Sequence, residues 1–395
     1  MRKLLIGIGG VLAALLAVSA ASAQGTVKIG LIMPYSGQFA DTATQMDNAI
    51  KLYMKEHGDT VAGKKIELIR KDTGGIAPDV AKRLAQELVV RDKVDILTGL
   101  VLTPNALAVG DISAEAKKLT VIMNAATSII TTKSPYMTRT SVTTPMLNQT
   151  LGTWAATKGG VKKVFTMVSD YGPGHDAEGA FHLGFKEAGG EIIGSVRFPV
   201  ANPDFSAFVQ RAKDSGAEAI YIWIPGGAQP AAIAKALFER GIDPKKTKIL
   251  GQDVVADDSV LKSLGEQSVG LITVTNYDYN RDSALNKAFV KGFHEISNGR
   301  NPDIFAIGGY DGMHLIYEAL KKTGGKTDGD SLIEAAKGMK WESPRGPMSI
   351  DPETRDVIED MHILRVEMVD GKPKNVEFDT VKDVKDPVKE RMKKK

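Results

Sequence analysis

The sequence contains no cysteine. That excludes disulfides, thiolate metal sites, a cysteine nucleophile and a lipidated cysteine at an export cleavage site. Aromatic residues make up only 6% of the chain, too few for a stacking platform on nucleic acid. An excess of one charge is missing too. Lys and Arg number 51 against 48 Asp and Glu, a net charge of +3. Arg2 and Lys3 supply part of that, so nothing suggests a polyanionic partner. Beyond the N-terminal segment no apolar run is long enough to span a bilayer, and no sequence repeat is evident.

What is present is 43% hydrophobic residues over 395 positions. That exceeds one ordinary core, so two domains are expected. The first residues follow the pattern of a secretory signal. Arg2 and Lys3 are its charged part, Leu4 to Val18 its apolar part, and Ala21-Ser22-Ala23 a small-residue cleavage site. Residues 1–23 are read as a signal peptide, cleaved near Ala23. The mature chain would then be exported, not membrane-inserted, and periplasmic.

From Val27 the pattern alternates. Val27–Met33 is continuously apolar, as in a buried strand. A helix follows to about His57, then a strand at Ile66–Arg70, a helix from Pro78, a strand at Ile96–Thr98, a helix from Pro104 and a strand at Thr120–Met123. This order argues a parallel sheet with helices on both faces. Met137–Val142 reads as its last strand. The alternation restarts at Leu147, with strands at Val164–Val168, Ile192–Phe198, Ala219–Ile224, Lys248–Leu250 and Leu271–Thr275. Helical patterns at Ala284–Ser297, Ile304–Lys322 and Ser331–Met339 fit as further cover for the first lobe, and Pro347–Ile350 and His362–Glu367 are strand-like. The expected fold class is α/β, with two doubly wound parallel-sheet lobes. Residues 379–395 alternate Lys with Asp or Glu and read as a flexible charged tail.

The organising stretch runs from Ile96 to Thr127. Two neighbouring parallel strands end there side by side, each followed by a turn with small or hydroxyl side chains. Ligands of open α/β sheets sit on that edge, and free N–H groups at the start of the Pro104 helix suit a carboxylate. Catalytic lookalikes fail on context. Gly325-Lys326-Thr327 lacks the earlier glycine of a phosphate loop, since Leu320 stands there. Gly329-Asp330-Ser331 precedes a helix, where Asp330 or Ser331 serves as an N-cap. The six histidines show no paired-ligand spacing. No enzyme, no cofactor and no metal are implied.

The series IGLIMPYSGQFA, the Asp72-to-Gly99 segment with Pro78, Ala85, Leu88 and Gly99, then MNAATS, PYMTRTS and SDYGPG resembles the leucine/isoleucine/valine-type solute-binding proteins of ABC importers. The resemblance runs from about Val27 to Phe378 and rests on the order and spacing of the fragments. It implies a type I periplasmic binding protein, its two lobes joined by three crossover strands near Thr143–Pro145, Tyr277–Asp278 and Ser343–Arg345. It assigns 26–144 and 278–343 to an N-terminal lobe, and 145–277 and 344–378 to a C-terminal lobe. A monomer would bind its ligand in the cleft and deliver it to an ABC permease at the inner membrane.

The same resemblance implies the site. Thr127 would give its hydroxyl and N–H to a ligand carboxylate, and Ala125 its carbonyl to an amino group. Leu102 and Thr103 lie where the family usually shows small hydroxyl residues, so carboxylate grip falls to backbone N–H or to Thr103. Tyr35 and Phe39 would wall the pocket, and Tyr171 would swing in on closure. Asp253 matches the acid that holds a ligand ammonium. Gly226 stands where the family often carries an aromatic residue, and the vacancy would enlarge the pocket. Asp253 favours an amino acid, branched-chain or related. Leu102, Gly226 and the shorter reach of Asp favour the alternative, an aromatic or other small carboxylic acid. A ligand-sensing receptor subunit would carry the same marks, and a secreted hydrolase would have to show turnover.

Overall fold

A computed structural model describes residues 25–201 and 203–393. The expected signal peptide lies outside the described residues. The first sheet is built by β1 (Thr26–Met33), β2 (Thr60–Val61), β3 (Lys64–Asp72), β4 (Ile96–Gly99), β5 (Thr120–Ile122) and β6 (Met137–Arg139). Between them lie the helices α1 (Ala40–His57), α2 (Pro78–Val90) and α3 (Thr103–Ala116). The second sheet follows from α4 (Thr144–Ala156), with β7 (Lys163–Ser169), β8 (Glu191–Phe198), β9 (Ala219–Trp223), β10 (Lys248–Gln252) and β11 (Ile272–Thr275). Its helices are α5 (Gly172–Glu187), α6 (Ser206–Asp214), α7 (Gln229–Glu239) and α8 (Asp258–Leu264). The chain then returns to the first sheet as α9 (Ala284–Ile296), α10 (Ile304–Lys322) and α11 (Gly329–Ala336). It ends on the second sheet with β12 (Lys340–Ser343), β13 (Gly346–Ile350), β14 (Val357–Val369), β15 (Lys372–Val384) and a short α12 (Pro387–Met392).

The first sheet runs β2-β3-β1-β4-β5-β6 and is parallel except where β2 meets β3. Its central strand is apolar on both faces because helices cover both. Val27, Ile29, Leu31 and Met33 are wholly buried in one core and Ile32 in the other. The chain leaves β1 toward β3 on one side and resumes at β4 on the other. The crevice of a doubly wound sheet opens at that reversal, beyond the strand C-termini. The second sheet repeats the device, in the order β8-β7-β9-β10-β11, all parallel, with the reversal between β7 and β9. Antiparallel β14 then closes its edge against β11.

Three passages join the two halves, and Arg345, 3% exposed, ties two of them. Its Nη2 donates to the Thr140 carbonyl at 2.5 Å and lies 2.9 Å from Asp311, while Nη1 lies 3.2 Å from Glu359. Asp311 also accepts from Trp341 Nε1 and Ser343 Oγ. Burial pushes Glu359 up to about 7, against the pull of Arg345 and Asn276.

Three expectations need correction. The last strand of the first sheet stops at Arg139 rather than Val142, because 140–143 is already one of the passages. Helix α5 begins at Gly172, five residues before the apolar pattern that announces it. The tail is not a flexible charged strand of chain over its described part. β15 pairs with β14 from Val369–Lys372 to Glu359–Val384, and α12 is capped by Asp386 and buries Lys389. Its charges find partners far away in sequence, which no local pattern reveals.

Candidate functional site

β4 and β5 do end side by side, with Gly99 opposite Ile122. The turn after β4 starts α3, and Leu102 stands at its N-cap with no side chain to accept a bond there. Pro104 brings no N–H and Ala106 donates to the Leu102 carbonyl, so the first-turn N–H groups without a side-chain cap are those of Thr103 and Asn105. Helix α5 begins the same way, with Tyr171 at its N-cap and no side-chain cap. Both starts line one cavity between the sheets.

That cavity has a volume of about 80 Å³ and is mainly apolar. The first half contributes Phe39, Leu102, Thr103, Ala126 and Phe305, the second Tyr171, Trp223, Gly226 and Gln252. The Tyr171 and Trp223 rings lie 5.7 Å apart, centre to centre, and burial raises the Tyr171 phenol above its ordinary value. Trp223 Nε1 is buried with no partner among the described residues. A buried indole N–H without an acceptor costs about 1–3 kcal/mol, so a ligand oxygen would relieve it. Among the described residues, no Asp, Glu, Lys or Arg lines this cavity.

Four of the residues expected at the site stand elsewhere. Tyr35 packs on the first core with its hydroxyl 3.5 Å from Asp47, which pairs with Arg70 at 2.7 Å. Burial beside that carboxylate raises its phenol. The Ala125 carbonyl accepts from Arg139 Nη1 at 2.9 Å, and Ala125 is not among the residues that line the cavity. Thr127 accepts from the Thr103 hydroxyl at 3.2 Å and faces Asp176 of α5. Burial raises Asp176, and bonds from the Thr127 hydroxyl and the Ser128 N–H oppose the shift.

Asp253 lines a neighbouring chamber of about 470 Å³ with Asp41, Asp257, Asp278, Asp303 and Arg300. Burial pushes Asp253 up to about 7 and Asp303 to about 8. Asp253 Oδ1 is buried without a partner there. Gly226, Val254, Ile304 and Phe305 belong to both walls.

The vacancy at Gly226 does not widen the pocket. A Cβ there would sit 2.7 Å from Phe305 Cζ, so a ring from the opposite half already fills the space. At Gly227, φ is +99° and a Cβ would meet the Gln38 carbonyl at 2.5 Å. Backbone touches backbone across the cleft at this point, and only glycine combines that angle with that approach.

Phe39, Leu102, Thr103, Tyr171 and Gly226 thus meet at one cavity. Trp223, Phe305 and Gln252 join them unannounced. The one signal for Trp223 is a large ring with a polar edge closing an apolar strand before Pro225-Gly226-Gly227. Phe305 gives none, since it arrives from α10 to meet Gly226, a distant part of the chain.

A family model described as periplasmic binding protein matches residues 26–373. A Leu/Ile/Val-binding protein homolog 6 of Brucella melitensis is 41% identical over 374 residues, 94% of this chain and 95% of that protein. The solute-binding protein of an ABC transporter from Rhodopseudomonas palustris BisB5, in complex with 3,4-dihydroxybenzoic acid, superposes with a TM-score of 0.88 at 51% identity. The match covers 92% of this chain and 99% of that one. A second R. palustris solute-binding protein, in complex with 4-hydroxybenzoate, gives 0.87 at 39% identity, with the same coverage.

Proposed function

The chain belongs to the periplasmic binding protein family, and we propose that, as the solute-binding protein of an ABC transporter, it captures a small aromatic carboxylic acid between its lobes. One observation carries this reading: an aromatic cavity with an uncapped helix start in its wall and no carboxylate to hold an ammonium. The ring would lie among Phe39, Tyr171, Trp223 and Phe305. The carboxylate would take the first-turn N–H groups of α3 and the Thr103 hydroxyl, which suits an anion. A ring hydroxyl would accept from Trp223 Nε1. The two R. palustris relatives support this chemistry by the acids in their complexes.

Mechanism follows from where the wall residues sit. A ligand on Leu102 and Thr103 meets Tyr171 and Trp223 only when the halves close, so it binds the closed state more tightly and shifts the population toward it. Expulsion of water strengthens the polar contacts inside. The closed surface is then what an inner-membrane permease reads. In this reading a signal peptide is removed near Ala23, the mature protein works in the periplasm as a monomer, and the lobes are 26–144 with 278–343 and 145–277 with 344–378.

An amino acid is the second reading, favoured by the unpartnered Oδ1 of Asp253 in the adjoining chamber. Melting curves with 4-hydroxybenzoate, benzoate, leucine and phenylalanine separate the two. A ligand at a hundred times its Kd adds about 2.7 kcal/mol to the folded state. The hydroxybenzoate is expected to raise Tm most. A rise with leucine and none with either benzoate would reverse the order of the readings.

A further inference from the structure

The turn after β5, residues 124–128, faces the cavity on one side and a buried polar network on the other. Arg139 is wholly buried and donates to the carbonyls of Ala125 and Thr127, both at 2.9 Å. A trans peptide holds its C=O and the next N–H in opposite directions. Fixing those two carbonyls on Arg139 therefore aims the N–H groups of Ala126 and Ser128 the other way. Ala126 lines the cavity, and Ser128 stands beside Asp176 of the second half.

Arg139 is held in turn. Its Nε donates to Asp356 at 3.0 Å, and Asp356 is 1% exposed. The other oxygen of Asp356 accepts from Lys389 Nζ at 2.5 Å, and Lys389 also donates to the Thr131 hydroxyl. Lys389 lies on α12, which sends a second arm to the same turn. Ser128 Oγ donates to Asp386 Oδ2 at 2.5 Å. Arg391 fastens that helix to Glu187 of α5 at 3.0 Å. Two cations, Arg139 and Lys389, thus share the site with three acids, Asp356, Asp386 and Asp176 of α5, the last facing both Arg139 and Asp386. Removing one member leaves a buried charge without its partner.

We propose that α12 is a clasp for the ligand turn, with Lys389, Asp386, Asp356 and Arg139 as positioning residues that set the direction of its N–H groups. The clasp rests on the reading of 124–128 as part of the ligand site. It explains why a charged terminus more than 250 residues away in sequence is buried against that turn.

Hydrogen exchange of the ligand-free full chain, read by mass spectrometry, tests the clasp directly. In Lys389→Met, amides of 124–132 are expected to exchange at least tenfold faster, with β1, β3 and β4 unchanged and Lys389→Arg restoring protection. Ser128→Ala loosens the same turn less, and it decides the matter alone should Lys389→Met fail to fold. The dissociation rate of 4-hydroxybenzoate should rise at least tenfold in Lys389→Met and return toward normal in Lys389→Arg. Unchanged exchange over 124–132, or loosening spread evenly through the first sheet, overturns the clasp. If the unaltered protein does not bind 4-hydroxybenzoate, the ligand reading fails, while the exchange result still decides the clasp.

Discussion

Two chambers share the wall formed by Gly226, Val254, Ile304 and Phe305, and their chemistry is opposite. The smaller one is lined by rings, an unpartnered indole N–H and the open start of α3. The larger one is crowded with carboxyls, and its Asp253 and Asp303 are pushed up to about 7 and about 8. An aromatic carboxylate would find N–H donors and rings in the first, and in the second carboxyls set beside Arg300 and Lys262. An ammonium fits the second and finds no counter-charge in the first. The neighbouring chambers show that a short stretch of wall can divide an apolar, ring-lined space from an acidic one.

Substitution of the indole should strain the contrast most. Trp223→Ala removes both a face of the cavity and its unpaired donor. Calorimetry with 4-hydroxybenzoate should show affinity lower by about a hundredfold, near 3 kcal/mol, as for a buried aromatic anchor. A change below threefold would mean that the acid binds elsewhere.

Leu102→Ser tests the open helix start with a smaller effect. The new hydroxyl caps α3 in the ligand's stead. Leu102 is 6% exposed and packs in the first core, so the ligand-free protein should lose about 2 kcal/mol from the truncated side chain, less about 0.5–1 kcal/mol returned by the cap. Affinity for 4-hydroxybenzoate should fall about fivefold, because ligand and cap then compete for the same N–H groups. Melting and titration on one sample read both.

The smallest effect on the aromatic acid belongs to Asp253→Asn, which should leave its affinity within about twofold because no charge is exchanged at its cavity. Its signature is in pH. Burial raises Asp253 to about 7 in the folded chain, so that state keeps a proton which the unfolded chain has already released. The stability it contributes is present below about pH 4 and is lost as pH rises through about 7. Asp303, raised to about 8, adds in the same direction. Tm of the ligand-free protein should therefore decline between pH 5 and 8, and Asp253→Asn should decline less. Equal slopes would remove Asp253 from the acid chamber.

The sheet-and-helix order was legible from Val27 onward because a strand buried on both faces is continuously apolar and its helices repeat every three to four residues. The same locality makes the ligand edge readable. Phe39, Leu102, Thr103 and Tyr171 each follow a strand end, and strand ends of a doubly wound sheet converge. The direction of a peptide is not local. Ala125 and Thr127 lie in the expected turn, where Arg139, buried from the next strand, takes both carbonyls.

By itself, then, the sequence determined two parallel-sheet halves, the edge where their tips face each other, and an anion-ready helix start there. Those follow from hydrophobic period and turn chemistry, which act over a few residues. Only the tertiary structure decided that Phe305 fills the space above Gly226, that Asp253 opens into the second chamber, and that the charged terminus folds back onto Ser128 and Thr131. Each of these depends on a distant segment, and at the terminus the buried charges of Asp386 and Lys389 would be costly without the partners that segment finds.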